Sequence, residues 1–163
     1  MNRETIEATI DTWTRDPAKA LGAPVVTARS EGTQAIMDAG AFTWRADLPP
    51  ALGASLEPPS PTALLLGALA GCAVVFVRDT LAPQLGVRVT GVSATVRCEA
   101  DARGLLGVGG AEPDLRNLSL DVTVESPDGD EAVATIAEVW QERCPIYLAL
   151  LKPVDVTVQF EAA

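Results

Sequence analysis

Cys72 lies in the longest apolar run of the sequence, Ala63 to Val77, and Cys144 stands directly before Pro145. No histidine occurs among the 163 residues. Without an imidazole, Ser-His-Asp and Cys-His catalysis are excluded, and so is any His-ligated metal site. The thiols are then the main side chains able to do covalent chemistry near neutral pH. Each has a plain structural reading beside the chemical one. Cys98 shares a strand face with Val92, Ala94 and Val96, where a cysteine serves as a small hydrophobe. Cys144 would occupy the N-cap of a helix opened by Pro145 and ending near Leu151, where orphan N–H groups and the helix dipole favour a thiolate. It could equally continue the apolar stripe of Ile136 and Trp140. Cys72 sits inside an apolar helix, where desolvation raises a thiol's pKa. It becomes reactive only if a cation reaches it from another element, and Arg29 and Arg45 are the candidates.

The elements that must position these groups can be read from pattern. Ile6, Ile10 and Trp13 fall at helical spacing, which predicts a short helix from about Arg3 to Trp13. Val25–Ser30, Gln34–Met37 and Phe42–Ala46 read as strands separated by Glu31-Gly32 and Asp38-Ala39-Gly40 turns. Five prolines and Gly53 make Asp47–Pro61 a long connection, a length more often functional than idle. Ser60-Pro61 is a helix start, with serine as cap and proline at the first position. The helix is expected to run to about Ala82, with Pro83 ending it. It is apolar on all sides up to Arg78-Asp79, so its first turns must be enclosed by protein, including a partner subunit.

Val87, Val89, then Val92, Ala94, Val96 and Cys98 alternate with polar residues, with a phase shift at Gly91 where a β-bulge is expected. Leu118, Leu120, Val122 and Val124 alternate likewise, as do Val154, Val156, Val158 and Phe160. Gly104–Gly110 reads as a glycine-rich hairpin or flap. Asp130 opens a helix with Val133, Ile136, Ala137 and Trp140 on one stripe. The order is α-β-β-β-α-β-β-α-α-β, an α+β chain with mainly antiparallel strands.

Composition narrows the function. The net charge of -10 argues against nucleic acid and anionic membrane as partners. Arg3, Glu4 and Glu7 do not fit a signal peptide. The 15-residue run Ala63–Val77 is shorter than the roughly 18 residues or more of a membrane span. An odd number of cysteines without a secretory signal suits a reducing compartment, and a cytoplasmic location is expected.

The stretch Pro59-Ser60-Pro61-Thr62-Ala63-Leu64-Leu65-Leu66-Gly67-Ala68-Leu69-Ala70-Gly71-Cys72, preceded by Asp47-Leu48-Pro49-Pro50-Ala51-Leu52-Gly53 and followed far downstream by Cys144-Pro145, resembles the OsmC/Ohr family. The similarity runs over about residues 25–160. Residues 1–22 resemble an N-terminal helical extension seen in some OsmC-like members, leaving 23–163 as the domain. The resemblance implies an OsmC-like fold, an intertwined homodimer with exchanged strands and two central helices buried together. It implies thiol-dependent reduction of organic hydroperoxides, with Cys72 as the peroxidatic residue, Cys144 as the resolving one and Arg29 as the activating cation. The partners implied are a second copy, a small-molecule hydroperoxide and an external dithiol reductant, and no metal, haem, flavin or nucleotide cofactor. Phe42, Trp44, Leu64–Leu66 and Trp140 are expected to line the pocket. The family's usual glutamate after the helix-opening proline is absent, its place taken by Thr62 and Ala63, with Asp47 and Glu57 the nearest carboxylates that could serve instead. That departure keeps two alternatives open: a non-catalytic dimer binding an apolar small molecule, and a thiol redox sensor.

Overall fold

The structure is a computed structural model, and it describes residues 3–55, 57–152 and 154–162. Helix α1 covers Arg3–Arg15. Three strands follow, β1 (Thr27–Glu31), β2 (Gln34–Ala39) and β3 (Phe42–Ala46), paired antiparallel in that order. Two-residue turns join them, Gly32-Thr33 and Gly40-Ala41, with glycine at φ 62° and 65° in the first position. That position needs positive φ in a tight hairpin, which glycine adopts without strain. The strands of this sheet pack closely on one another and only slightly on the other helices and strands.

Helix α2 spans Pro61–Phe76, capped by Ser60, whose Oγ accepts from the Ala63 N–H at 3.2 Å. It does not stop at Pro83 as expected. A π-helical turn, Val77–Leu81, carries the chain into α3 (Ala82–Leu85), giving a continuous helical run of 25 residues. A proline clashes with the carbonyl four residues back, and a widened turn just before it lets the helix pass. The stop is instead Gly86, at φ 72°. Its N–H donates to Pro83 O and the Val87 N–H to Ala82 O, the paired bonds of a Schellman motif.

One stripe of this run, Leu69, Ala73, Val77 and Leu81, is at most 3% exposed. It packs on Ile136, Trp140 and Cys144 of α4 (Asp130–Arg143) and its cap, and on apolar residues of the second sheet. That sheet is β4 (Gly91–Ala100) paired antiparallel with β5 (Leu115–Glu125). Full burial of a leucine or isoleucine here stabilises by about 1.5–3 kcal/mol. The opposite side of α2, with Ala63, Gly67, Gly71 and Val75, is exposed. Helix α5 (Pro145–Leu151) follows α4 directly.

Three further expectations are corrected. The bulge falls on β5, where Asn117 (φ 51°) and Leu118 face the single residue Cys98 of β4, and not at Gly91, where β4 begins. Val87–Thr90 precedes the strand, held by the Arg88 N–H donating to Asp128 Oδ2 at 2.7 Å and by the Arg88–Asp128 ion pair. The alternating segment Val154–Phe160 forms no ladder with any described strand, and its four apolar side chains are 59–96% exposed. The glycine-rich flap contains a short 3-10 turn, Ala102–Leu106, with Leu105 and Leu106 exposed at its surface.

Candidate functional site

Cys72 is on the fourth turn of α2, one turn beyond the buried Leu69. Cys144 follows the last residue of α4 and caps α5. The pairing of the α2 stripe with the α4 stripe brings these two positions, 72 residues apart, to a Sγ···Sγ separation of 3.2 Å. Both are free thiols, hydrogen-bonded to each other, and either can donate. Cys144 is wholly buried and Cys72 half-buried. Their sulfurs need approach by only about 1 Å more to reach a disulfide bond length.

Burial is the main cause that pushes the Cys72 thiol up, to about 11, and the hydrogen bond and charge of Cys144 add to it. One group opposes them. The backbone N–H of Ile146, in the first turn of α5, donates to the Cys72 sulfur. The amide expected to serve the cap residue Cys144 therefore serves its neighbour, and Cys144 itself makes no side-chain capping bond. Sequence reasoning missed Ile146 because a main-chain donor leaves no residue-type signal. Tyr147 was also missed; its ring lies 5.2 Å from that of Trp140, tilted by 40°.

Arg29 is elsewhere in the chain. On β1 its guanidinium lies 3.6 Å from Asp38 and 3.9 Å from Glu31, and it is largely exposed. Ile36 sits between Arg29 and Arg45 in the register, so both arginines share one sheet face. Arg45 donates to Gln34 at 2.8 Å and to Glu31 at 3.0 Å. Within one chain neither cation is brought to Cys72; its shift owes nothing to either. Cys98, opposite the β5 bulge, is half-buried and is not joined to the thiol pair.

The Asp47–Pro61 loop is a built structure. Asp47 is 3% exposed, and its carboxylate accepts from the N–H groups of Leu48 (2.8 Å) and Ser55 (3.0 Å) and from Ser55 Oγ (2.6 Å). Asp47 and Arg29 also line one cavity of about 470 Å³ at the foot of α2, beside Pro61. Glu57 is exposed.

A second cavity, of about 410 Å³, lies between α2, α4 and β5. Leu69, Val77, Leu120, Ile136, Trp140 and Tyr147 contribute to its apolar wall. The Trp140 Nε1–H is buried with no acceptor among the described residues. A smaller cavity of about 300 Å³ adjoins it through shared Leu69, Leu118 and Tyr147, and includes Leu65. Of the lining expected from sequence, Trp140 and Leu65 are present, whereas Phe42 and Trp44 are on the first sheet, Phe42 being 72% exposed. Among the described residues no cluster of three or more metal-ligating side chains exists.

The profile of the family described as OsmC-like protein matches residues 54–159, well over half of the chain. The chain belongs to this OsmC-like family. Its fold is that of solved family structures. An OsmC-like protein from Mycoplasma pneumoniae is 19% identical with a TM-score of 0.67, over 81% of this chain and 89% of that one. An organic hydroperoxide resistance protein OsmC from Legionella pneumophila is 18% identical with a TM-score of 0.57, over 80% and 90%. The organic hydroperoxide resistance protein OhrB of Bacillus subtilis is 19% identical with a TM-score of 0.52, over 82% and 94%. No curated protein matches the sequence. In this OsmC-like chain the run Pro61–Leu85 is long and apolar enough by composition to cross a membrane, which corrects the shorter run read from sequence. Its buried stripe makes it the core helix of the OsmC-like fold.

Proposed function

We propose that this OsmC-like protein is a thiol peroxidase that reduces organic hydroperoxides. The observation that carries the reading is the 3.2 Å separation of Cys72 and Cys144. In the proposed cycle the Cys72 thiolate attacks the distal peroxide oxygen. An S–O bond forms, the O–O bond breaks, and the alkoxide leaves as an alcohol after taking a proton. The Cys144 thiol then attacks the sulfenic sulfur, giving a disulfide and water. An external dithiol reduces the disulfide and completes the cycle. Half-burial of Cys72 beside a buried partner favours capture of the sulfenic acid before further oxidation.

The active unit in this reading is a homodimer. The exposed apolar side of α2, the loosely held β1–β3 sheet and the unpaired Val154–Phe160 segment all support it. A partner supplies what one chain lacks, including a cation for Cys72, with Arg29 of the partner subunit in that role. A cytoplasmic location and independence of any cofactor complete the proposal. The test is peroxide consumption with a dithiol supplied, comparing an organic hydroperoxide with hydrogen peroxide. Dithiol-dependent turnover with preference for the organic peroxide is expected; no consumption of either overturns the reading.

The 410 Å³ cavity specifically favours a second reading, a non-catalytic dimer that binds an apolar small molecule. Both thiols remaining unmodified after excess organic hydroperoxide selects that reading.

A further inference from the structure

We infer that the reduced Cys72–Cys144 pair is also a chelating site for neutral trivalent arsenicals that carry one apolar substituent. The inference rests on the thiol geometry and stands or falls separately from the peroxidase reading. Two sulfurs 3.2 Å apart match the bite of a dithiolate closing on a single soft atom. The choice of atom follows from charge and from the number of donors. A divalent soft metal such as zinc requires deprotonated thiols and commonly four ligands. Here no third metal-ligating side chain joins the pair among the described residues, and Cys144 is wholly buried. Bringing a dication to this place would require ionising both thiols in an apolar surrounding and would still leave its coordination incomplete.

Trivalent arsenic avoids that cost. An organoarsenic oxide R–As=O condenses with two thiols to give R–As(S)₂ and one water. Both S–H protons leave with the oxide oxygen, the oxidation state of arsenic is unchanged, and no net charge is created. The third substituent decides which arsenical fits. Inorganic arsenite held by two sulfurs keeps a hydroxyl, which needs hydrogen-bond partners that apolar side chains do not supply. An aryl or alkyl group needs none. The 410 Å³ apolar cavity is walled by Leu69, one turn before Cys72, and by Trp140, one turn before Cys144, so it offers such a group room beside the chelate.

The probe is phenylarsine oxide, added to the reduced full-length protein, with inorganic arsenite as the comparison and intact-mass spectrometry as the readout. One phenylarsenic per chain is expected, at least tenfold tighter than arsenite, and removed by 2,3-dimercaptopropanol but not by an equimolar monothiol. Cys72→Ser and Cys144→Ala should each abolish the adduct, the alanine keeping the buried position apolar so that the protein still folds. Cys98→Ser should leave it intact. Retention of the adduct in either Cys72→Ser or Cys144→Ala, its loss in Cys98→Ser, or equal affinity for arsenite overturns the inference. Peroxide consumption is measured on the same preparation. Arsenical uptake without peroxide turnover removes the peroxidase reading alone, and turnover without uptake removes this one alone.

Discussion

At the residue scale, the two cysteines are close but unequal. Cys144 is wholly buried, so in the proposed cycle a peroxide would meet Cys72 first. After one equivalent of organic hydroperoxide, Cys144→Ser should carry a sulfenic acid on Cys72, trapped by dimedone and read by peptide mass. Cys72→Ser should show no turnover, and a dimedone adduct on its Cys144 would reverse the roles. The second prediction concerns pH. With a thiol pKa of about 11, the thiolate fraction of Cys72 at pH 7 in an isolated chain is only about one in ten thousand. The raised value favours the neutral thiol, so reactivity climbs as pH rises towards 11. A cation contributed across a dimer lowers the midpoint. Alkylation of Cys72 by iodoacetamide, followed against pH, should therefore have a midpoint below 11 in the native protein and shift upward by about 1 unit or more in Arg29→Gln. Identical profiles would remove Arg29 from the site; Arg45, on the same sheet face, would then be the cation to vary.

At the element scale, the end of the long helix carries a sharp test. Gly86 holds φ at 72°, and Gly86→Ala should cost about 1–2 kcal/mol in urea unfolding, since an alanine pays for left-handed backbone. An unchanged midpoint would place the helix stop elsewhere. This terminus also shows how far sequence could be read. Ser60-Pro61 marked the helix start correctly because a cap and a first-turn proline act locally. Pro83 misled because the π turn that accommodates it leaves no mark in composition. Gly91 misled as well: the phase shift there is the start of a strand, and the true bulge lies on β5 at Asn117-Leu118, opposite Cys98. The strands β1 to β3 were legible through their glycine turns. The closeness of Cys72 to Cys144 followed from no spacing rule. It came from family resemblance, because a contact across 72 residues depends on how α4 docks on α2.

At the scale of the whole molecule, one chain leaves much apolar surface uncovered, which supports the proposed homodimer. Val154, Val156, Val158 and Phe160 alternate without pairing to any described strand, and α2 exposes valine and small residues on its outer side. Light scattering at micromolar concentration should give twice the chain mass, and deletion of 154–163 should yield monomer or aggregate; a soluble, folded monomer from the full chain refutes the assembly. The sulfur separation has a different bearing on how the oxidised protein is recognised. Closing a 3.2 Å gap to a bond needs about 1 Å of motion between two helices already in contact, so the outline of the molecule hardly changes. A downstream protein that read shape would find the oxidised and reduced forms nearly alike, which weighs against a signalling role through an altered surface. The proposed dithiol reductant would face the same blindness. It has to discriminate by chemistry at the Cys72 sulfur itself, encountering both forms equally often and turning over only one.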